Sequence, residues 1–81
     1  MKEYFLRTLR EQMRQDALKD ITTGKLRSPA DLDEICGRLT PKLRNDSLTG
    51  DVLKALDVTD DDLRSVYRSV LQEVGIEVVN G

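Results

Sequence analysis

The chain has 81 residues, of which 38% are hydrophobic and 35% are charged, and its formal net charge is −2. This length suits one small helical domain over residues 1–81, with a thin core. The absence of His and the presence of a single Cys exclude an internal disulfide, a His-based catalytic dyad and a Cys- or His-rich metal site. We therefore expect a cytoplasmic, non-enzymatic protein that needs no cofactor and no metal.

The N-terminal segment predicts one long helix. Apolar residues from Phe5 to Ile21 recur at a spacing of 3.6 residues, which places them on one helical face. Gly24 follows this pattern and is suited to the left-handed conformation that ends many helices. The predicted first helix spans residues 2–21.

The next segment predicts a second helix with an interruption. Ser28 and Pro29 are typical of an N-cap and a first helical position, which predicts a helix over residues 29–39. Pro41 has no backbone N–H to donate, so a break is expected near Thr40. A short continuation then reaches residue 45.

The second half of the chain predicts two more helices. Ser47 or Thr49 can cap a short helix over residues 48–56. Thr59 precedes three consecutive aspartates, which would face the positive end of a helix dipole. The following apolar repeat predicts a helix over residues 60–74 that ends at Gly75.

The C-terminal segment, residues 76–81, predicts either a short strand over 76–79 or an extended tail, because its residues are β-branched and alternate. Together these elements predict an all-α bundle of four main helices. The predicted core collects the apolar residues of the helical faces: Leu6, Leu9, Met13, Leu32, Ile35, Leu39, Leu53, Leu56, Leu63, Val66, Val70 and Val74.

Charge is unevenly distributed along the chain. Residues 1–44 contain ten Lys/Arg and seven Asp/Glu, for a net charge of +3. Residues 45–81 contain three Lys/Arg and eight Asp/Glu, for a net charge of −5. Such a bipolar surface can steer a charged partner, so we expect a regulator or adaptor of bacterial or phage type that binds another protein.

Nine residues are predicted to contact that partner. They are the cations Arg7, Arg10, Arg14, Lys42 and Arg44, the carboxylates Asp60 and Asp61, and the tail residues Ile76 and Val78. An unpaired β-branched tail can add a strand to a partner's sheet or pair with a second copy of the chain, which makes a homodimer an alternative. No apolar run approaches the length of about 18–20 residues that a bilayer requires, so no membrane contact is expected.

Nucleic-acid binding is the alternative function. The segment Pro29–Leu48 can be interpreted as a helix-turn-helix, with Lys42 and Arg44 near its second helix. The basic face of residues 1–44 would then contact phosphates, and affinity would fall steeply with salt. The acidic net charge and the 4% of aromatic residues favour the protein-binding hypothesis.

The last helix and its exit carry a family resemblance. Residues 58–63 and 75–78 combine an acidic cap, an amphipathic helix and a Gly-Ile-x-Val exit, a combination similar to the end of region 1.1 of primary bacterial sigma factors. The likeness covers about a quarter of the chain, and the same pattern is typical of any capped helix that leads into a strand. It implies an acidic regulatory module that competes for a basic channel.

Overall fold

A computed structural model describes residues 1–80 of the chain. The elements in chain order are helix α1 (Lys2–Thr23), strand β1 (Ala30–Asp31), helix α2 (Leu32–Asn45), helix α3 (Ser47–Ala55), helix α4 (Asp60–Glu73) and strand β2 (Val78–Val79). Helices make up 74% of the structure, so the predicted bundle of four helices is confirmed.

Helix α1 extends two residues beyond its predicted end. The hydroxyl groups of Thr22 and Thr23 donate to the backbone carbonyls of Leu18 and Asp20 at 3.0 and 3.3 Å, which accommodates both threonines within the last turn. Gly24 then ends the helix in the left-handed conformation, with φ of 80°. The predicted role of Gly24 is therefore confirmed.

The predicted start of the second helix at residue 29 is wrong by three residues. Ala30 pairs with Val78 in a two-stranded parallel sheet, and its N–H donates to the carbonyl of Glu77 at 2.7 Å. This pairing keeps the backbone extended through Asp31, whose carboxylate caps α2 by accepting from the N–H of Glu34 at 3.2 Å. Asp31, and not Ser28, is therefore the N-cap.

The predicted break near Thr40 is also absent, because α2 continues through Pro41 to Asn45. Proline leaves the carbonyl of Gly37 without its usual helical donor. Both Gly37 and Pro41 are exposed, so water can hydrate that side of the helix. The cost of the proline is thereby reduced, and the helix stays continuous.

Polar side chains cap the two remaining helices. Asp46 caps α3, since its carboxylate accepts from the N–H of Thr49 at 2.9 Å, so neither of the predicted caps, Ser47 and Thr49, has that role. In α4, the Thr59 hydroxyl accepts from the N–H of Asp62 at 3.1 Å, and the Asp62 carboxylate accepts from the N–H of Thr59 at 2.9 Å. This reciprocal capping box confirms Thr59 as the start of the last helix.

The core is centred on α4. Its buried apolar residues are Ala17, Ala30, Leu32, Ile35, Leu53, Val58, Leu63, Val66, Tyr67, Val70, Leu71 and Ile76. The predicted core residues Leu6, Leu9, Met13, Leu39, Leu56 and Val74 are only half-buried. Helices α1 and α2 both pack on α4 and have at most marginal contact with each other, which leaves their facing sides partly open.

The C-terminal segment belongs to the fold. Gly75 adopts φ of 83°, and the N–H of Ile76 donates to the carbonyl of Leu71 at 2.9 Å, so the chain turns back over the end of α4. Val78 and Val79 then form β2 beside β1. The predicted C-terminal strand is confirmed over these two residues, and Gly81 lies outside the described part of the chain.

Candidate functional site

An apolar groove lies between α1 and α2, above α4. Its volume is about 490 Å³. Its floor is formed by buried side chains of α2 and α4, namely Ile35, Tyr67, Val70 and Leu71. The groove exists because the two helices share α4 as a packing partner without closing on each other.

The hydroxyl group of Tyr67, in the floor of the groove, has a hydrogen-bond partner within the protein. Tyr67 is buried, and its hydroxyl lies 3.2 Å from the hydroxyl of Thr40. Burial raises the pKa of Tyr67 above its ordinary value, so the phenol stays neutral at physiological pH. The floor therefore presents a neutral, mainly apolar surface.

The walls add half-buried apolar side chains from three parts of the chain. They are Leu9 and Met13 of α1, Leu26 of the following loop, and Leu39 and Leu43 of α2. The loop is held in place at Asp20, whose carbonyl accepts from the N–H groups of Lys25 and Leu26 at 2.8 and 3.1 Å. This turn fixes Leu26 at one end of the groove.

The rim of the groove is charged, and the α1 and α2 sides differ in net charge. Helix α2 contributes Arg38 and Lys42, and the loop contributes Lys25. Helix α1 contributes Asp16, Lys19 and Asp20. The α2 side is therefore basic, whereas the α1 side has a net charge of −1.

Arg38 and Lys42 are four residues apart and lie above one another on α2. Arg38 has a weak internal partner, since its guanidinium is 3.4 Å from the carboxylate of Glu34. The side chains of Lys25 and Lys42 form no salt bridge or hydrogen bond with any of residues 1–80. The basic wall is thus available to carboxylates of another molecule.

The predicted arginines of α1 have different environments. Arg7 is exposed. Arg10 donates to the carboxylate of Glu73 at 2.8 Å and to the hydroxyl of Ser69 at 3.1 Å, and so joins α1 to α4. Arg14 lies 2.9 Å from the carboxylate of Glu11, a contact that raises the pKa of Arg14 and lowers that of Glu11.

The two halves of the chain, predicted to form opposite flanks, are linked by ion pairs. Of the six salt bridges within residues 1–80, four join a residue of 1–44 to a residue of the acidic half: Lys2–Asp62, Arg10–Glu73, Arg44–Asp60 and Arg64–Asp33. Three of these pairs join a cation of the basic half to a carboxylate of the acidic half, whereas Arg64–Asp33 has the opposite polarity. Part of the predicted bipolar charge is therefore compensated inside the protein. Among the predicted acidic residues, Asp60 is paired, and the exposed Asp61 forms no salt bridge with residues 1–80.

The tail residues predicted to contact a partner are mostly covered. Ile76 is buried, with 8% of its surface exposed, and Val78 is half-buried in the sheet. Arg64 donates to the carbonyl of Asn80 at 2.6 Å, and the Asn80 side chain donates to Asp31 at 2.9 Å. Ile76 is therefore a core residue in this fold and is not exposed to a partner.

The helix-turn-helix interpretation of Pro29–Leu48 is not supported by the geometry. Its first helix and its proposed second helix are one continuous element, α2, and the chain turns only at Asp46. Lys42 and Arg44 consequently lie in the last turn of a single helix.

Of the nine predicted residues, only Lys42 lines the groove. The predicted partner-binding residues did not include Lys19, Lys25, Leu26 or Arg38, which line the groove. Leu26 is an apolar residue between Lys25 and Arg27 and lies outside any helical repeat, which was the available sign that it contacts other parts of the protein. Its neighbours in space come from helices that are distant in sequence, so the groove itself had no sequence signature.

Cys36 is half-buried beside α4, where the guanidinium of Arg64 lies 3.8 Å from its sulfur. Burial raises the pKa of this thiol, so it stays protonated at neutral pH. Within residues 1–80, no group of three or more Cys, Asp or Glu side chains is arranged to hold a metal ion.

No helix in the described part of the chain combines the length and hydropathy needed to cross a bilayer. Comparison with known proteins gave no match, since no family model, no curated protein and no solved structure is significantly similar to this chain. The resemblance of the last helix to sigma-factor region 1.1 stays a prediction.

Proposed function

We propose that this chain is a non-enzymatic, cytoplasmic protein-binding module, a small regulator or adaptor whose partner docks in the groove between α1 and α2. The observation that supports this proposal is the groove itself. It combines a buried apolar floor, half-exposed leucines and a charged rim. An apolar centre within a polar rim is typical of protein docking surfaces.

The environment of the arginines favours a protein partner over nucleic acid. Arg10, Arg14 and Arg44 each contact a carboxylate of the same chain. A phosphate would have to displace these internal partners, and the net charge of −2 would oppose its approach. The apolar groove, in contrast, has a volume of about 490 Å³, and an apolar side chain that enters it displaces no internal ion pair.

Site-specific photo-crosslinking tests this proposal. A photoreactive residue replaces Gln12, which lines the groove, or Gln72, an exposed residue of α4 outside it. In an extract of the source organism, we expect a protein adduct from position 12 and none from position 72. The adduct partner is then purified and titrated into the ¹⁵N-labelled chain, where amide shifts are expected at Leu26, Leu39 and Leu43.

Shifts confined to another surface would contradict the proposed docking site. Duplex DNA serves as the competing probe in the same titration. Binding of DNA that weakens steeply between low and moderate salt would favour the nucleic-acid alternative.

A further inference from the structure

We infer that the occupant of the groove is an amphipathic α-helix of a different protein, with acidic residues along the flank that faces α2. This inference rests on the proposed function and adds the class of partner. It is based on the hydrogen-bonding state of the groove walls, their length and their unequal charges.

The walls of the groove favour a helix over an extended segment. Both long walls are helices, whose backbone groups along the groove are hydrogen-bonded within α1 and α2. The carbonyl of Gly37, which loses its helical donor to Pro41, belongs neither to a residue of α2 that lines the groove nor to α1. The nearby N–H groups of Lys25 and Leu26 are already bonded to Asp20. An extended peptide would lose water from its own backbone without gaining partners here, whereas a helix satisfies its backbone internally.

The length of the groove matches a short helix. The α1 wall extends from Leu9 to Asp20, which corresponds to about 16 Å along a helix axis. An apolar stripe at positions i, i+3, i+4 and i+7 spans about 10 Å. About three turns of a partner helix can therefore place its apolar anchors over Tyr67, Val70 and Leu71.

The charges of the walls set the polarity of the occupant's flanks. Arg38 and Lys42 stand one turn apart on α2, and Lys25 extends this basic wall at the loop. Glutamates spaced by one turn on the partner helix would pair with them. The opposite wall contains Asp16, Lys19 and Asp20, and its net charge of −1 disfavours acidic residues on the other flank.

A second copy of this chain lacks a suitable helix. The acidic start of α4 leads into a face whose residues Leu63, Tyr67 and Leu71 are buried in the core. The large apolar side chains that are exposed are Met1, Tyr4, Leu18, Leu48 and Val79. Met1 precedes α1, Tyr4 and Leu18 are 14 residues apart on α1, and Leu48 and Val79 lie in α3 and β2. These side chains form no continuous apolar stripe, so we assign the occupant to another protein.

Designed helical peptides test the inference. Three peptides of about 15 residues share the same leucine stripe. Two of them are locked as helices by lactam bridges, and the third is a control that cannot form a helix. The first has glutamates along one flank, the second has lysines at those positions, and the third contains the glutamates with central D-residues that prevent a helix. Binding to the full chain is measured by fluorescence anisotropy, and the contact surface is mapped by ¹⁵N amide shifts.

We expect the glutamate helix to bind in the groove about tenfold more tightly than the lysine helix. Lys42→Glu should weaken the glutamate helix about fivefold, as expected for reversing one rim charge. Lys54→Glu is the matched control, because Lys54 is also an exposed cation in the last turn of its helix and lies outside the groove. The affinity of the Lys54→Glu variant for the glutamate helix should stay within about twofold of that of the unmodified chain.

Several results would overturn the inference. They are tighter or equal binding of the lysine helix, equal binding of the peptide that cannot form a helix, shifts outside the groove, and no binding of any peptide. Lysine-helix or extended-peptide binding inside the groove would refute the partner class and leave the docking site standing. A natural partner that crosslinks from position 12 through a basic or extended segment would refute the partner class in the same way. If no protein adduct forms from position 12, the proposed function is refuted instead.

Discussion

The guanidinium of Arg44 donates to the carboxylate of Asp60 at 3.0 and 2.5 Å, and thereby joins the last turn of α2 to the first turn of α4. The same guanidinium donates to the backbone carbonyl of Val58 at 3.2 Å. Val58 is buried, whereas the Asp60 side chain is 76% exposed. The bond to the carbonyl is therefore the better protected of the two contacts.

Removing each partner should separate these contributions. Arg44→Met is expected to lower the free energy of unfolding by about 1 kcal/mol, because a partly buried carbonyl loses its donor. Asp60→Asn should cost no more than about 0.5 kcal/mol, since an exposed ion pair contributes little. Urea denaturation of both variants measures the difference, and an equal cost would mean that the ion pair dominates.

Two helical glycines should respond oppositely to alanine. A Cβ on Gly50 would lie within van der Waals overlap of the carbonyl oxygen of Arg44, and backbone cannot move aside as a flexible side chain does. Gly50→Ala is expected to destabilise the chain by about 1–3 kcal/mol. Gly37→Ala, at a position with open space, should stabilise it by about 0.5–1 kcal/mol through helix propensity. Thermal and urea unfolding measure both signs, and stabilisation by Gly50→Ala would contradict the close approach of α2 and α3.

Burial distinguishes two leucines of the same short helix. Leu53 is fully buried, with 0% of its surface exposed, whereas Leu48 is 78% exposed. Leu53→Ala is expected to cost about 2–5 kcal/mol, which is a large share of the stability of a small domain. Leu48→Ala should change stability by less than about 0.5 kcal/mol. Circular dichroism during urea denaturation measures both, and equal costs would mean that α3 packs through a different face.

The sequence was informative where structure depends on neighbours in the chain. Thr59 and the aspartates after it predicted the start of α4, because a capping box involves residues only three positions apart. Gly24 and Gly75 predicted helix ends for the same reason, since each adopts a positive φ that glycine tolerates.

The sequence was uninformative where contacts are distant along the chain. The start of α2 depends on Ala30 pairing with Val78. No local pattern shows that pairing, so Ser28 and Pro29 resembled a helix start. The groove likewise depends on how α1 and α2 are placed on α4, and the charged residues near its rim resembled ordinary solvated positions.

The capping box makes the stability of the fold depend on pH in the acid range. The backbone N–H of Thr59 and then the ammonium of Lys2 lower the pKa of Asp62 from 3.8 to about 2. Because the pKa is lower in the folded chain, the stabilisation is complete above about pH 4 and is lost as the pH falls toward 2. Asp62→Asn should therefore flatten the decline in unfolding free energy over this range.

Carboxyl ¹³C titration and urea denaturation at several pH values test this expectation. Asp61→Asn is the matched control, since it removes the same charge from the same turn and leaves the capping box intact. Its pH dependence of stability should stay close to that of the unmodified chain. If both variants reduce the pH dependence of the free energy of unfolding equally, that dependence arises from overall charge and not from the capping box.

The C-terminal segment gives the last prediction. Ile76 is buried, Ser28 accepts from the N–H of Glu77 at 2.9 Å, and Val78 pairs with Ala30. Deleting residues 76–81 removes a core side chain and leaves the N–H of Ala30 without its acceptor, so we expect the truncated chain to be largely unfolded by circular dichroism. Val79→Ser, at a position that is 40% exposed, should retain the fold. A truncated chain that stays folded would show that the segment is separable from the core, and its exposed β1 edge would then become a second candidate surface for a partner.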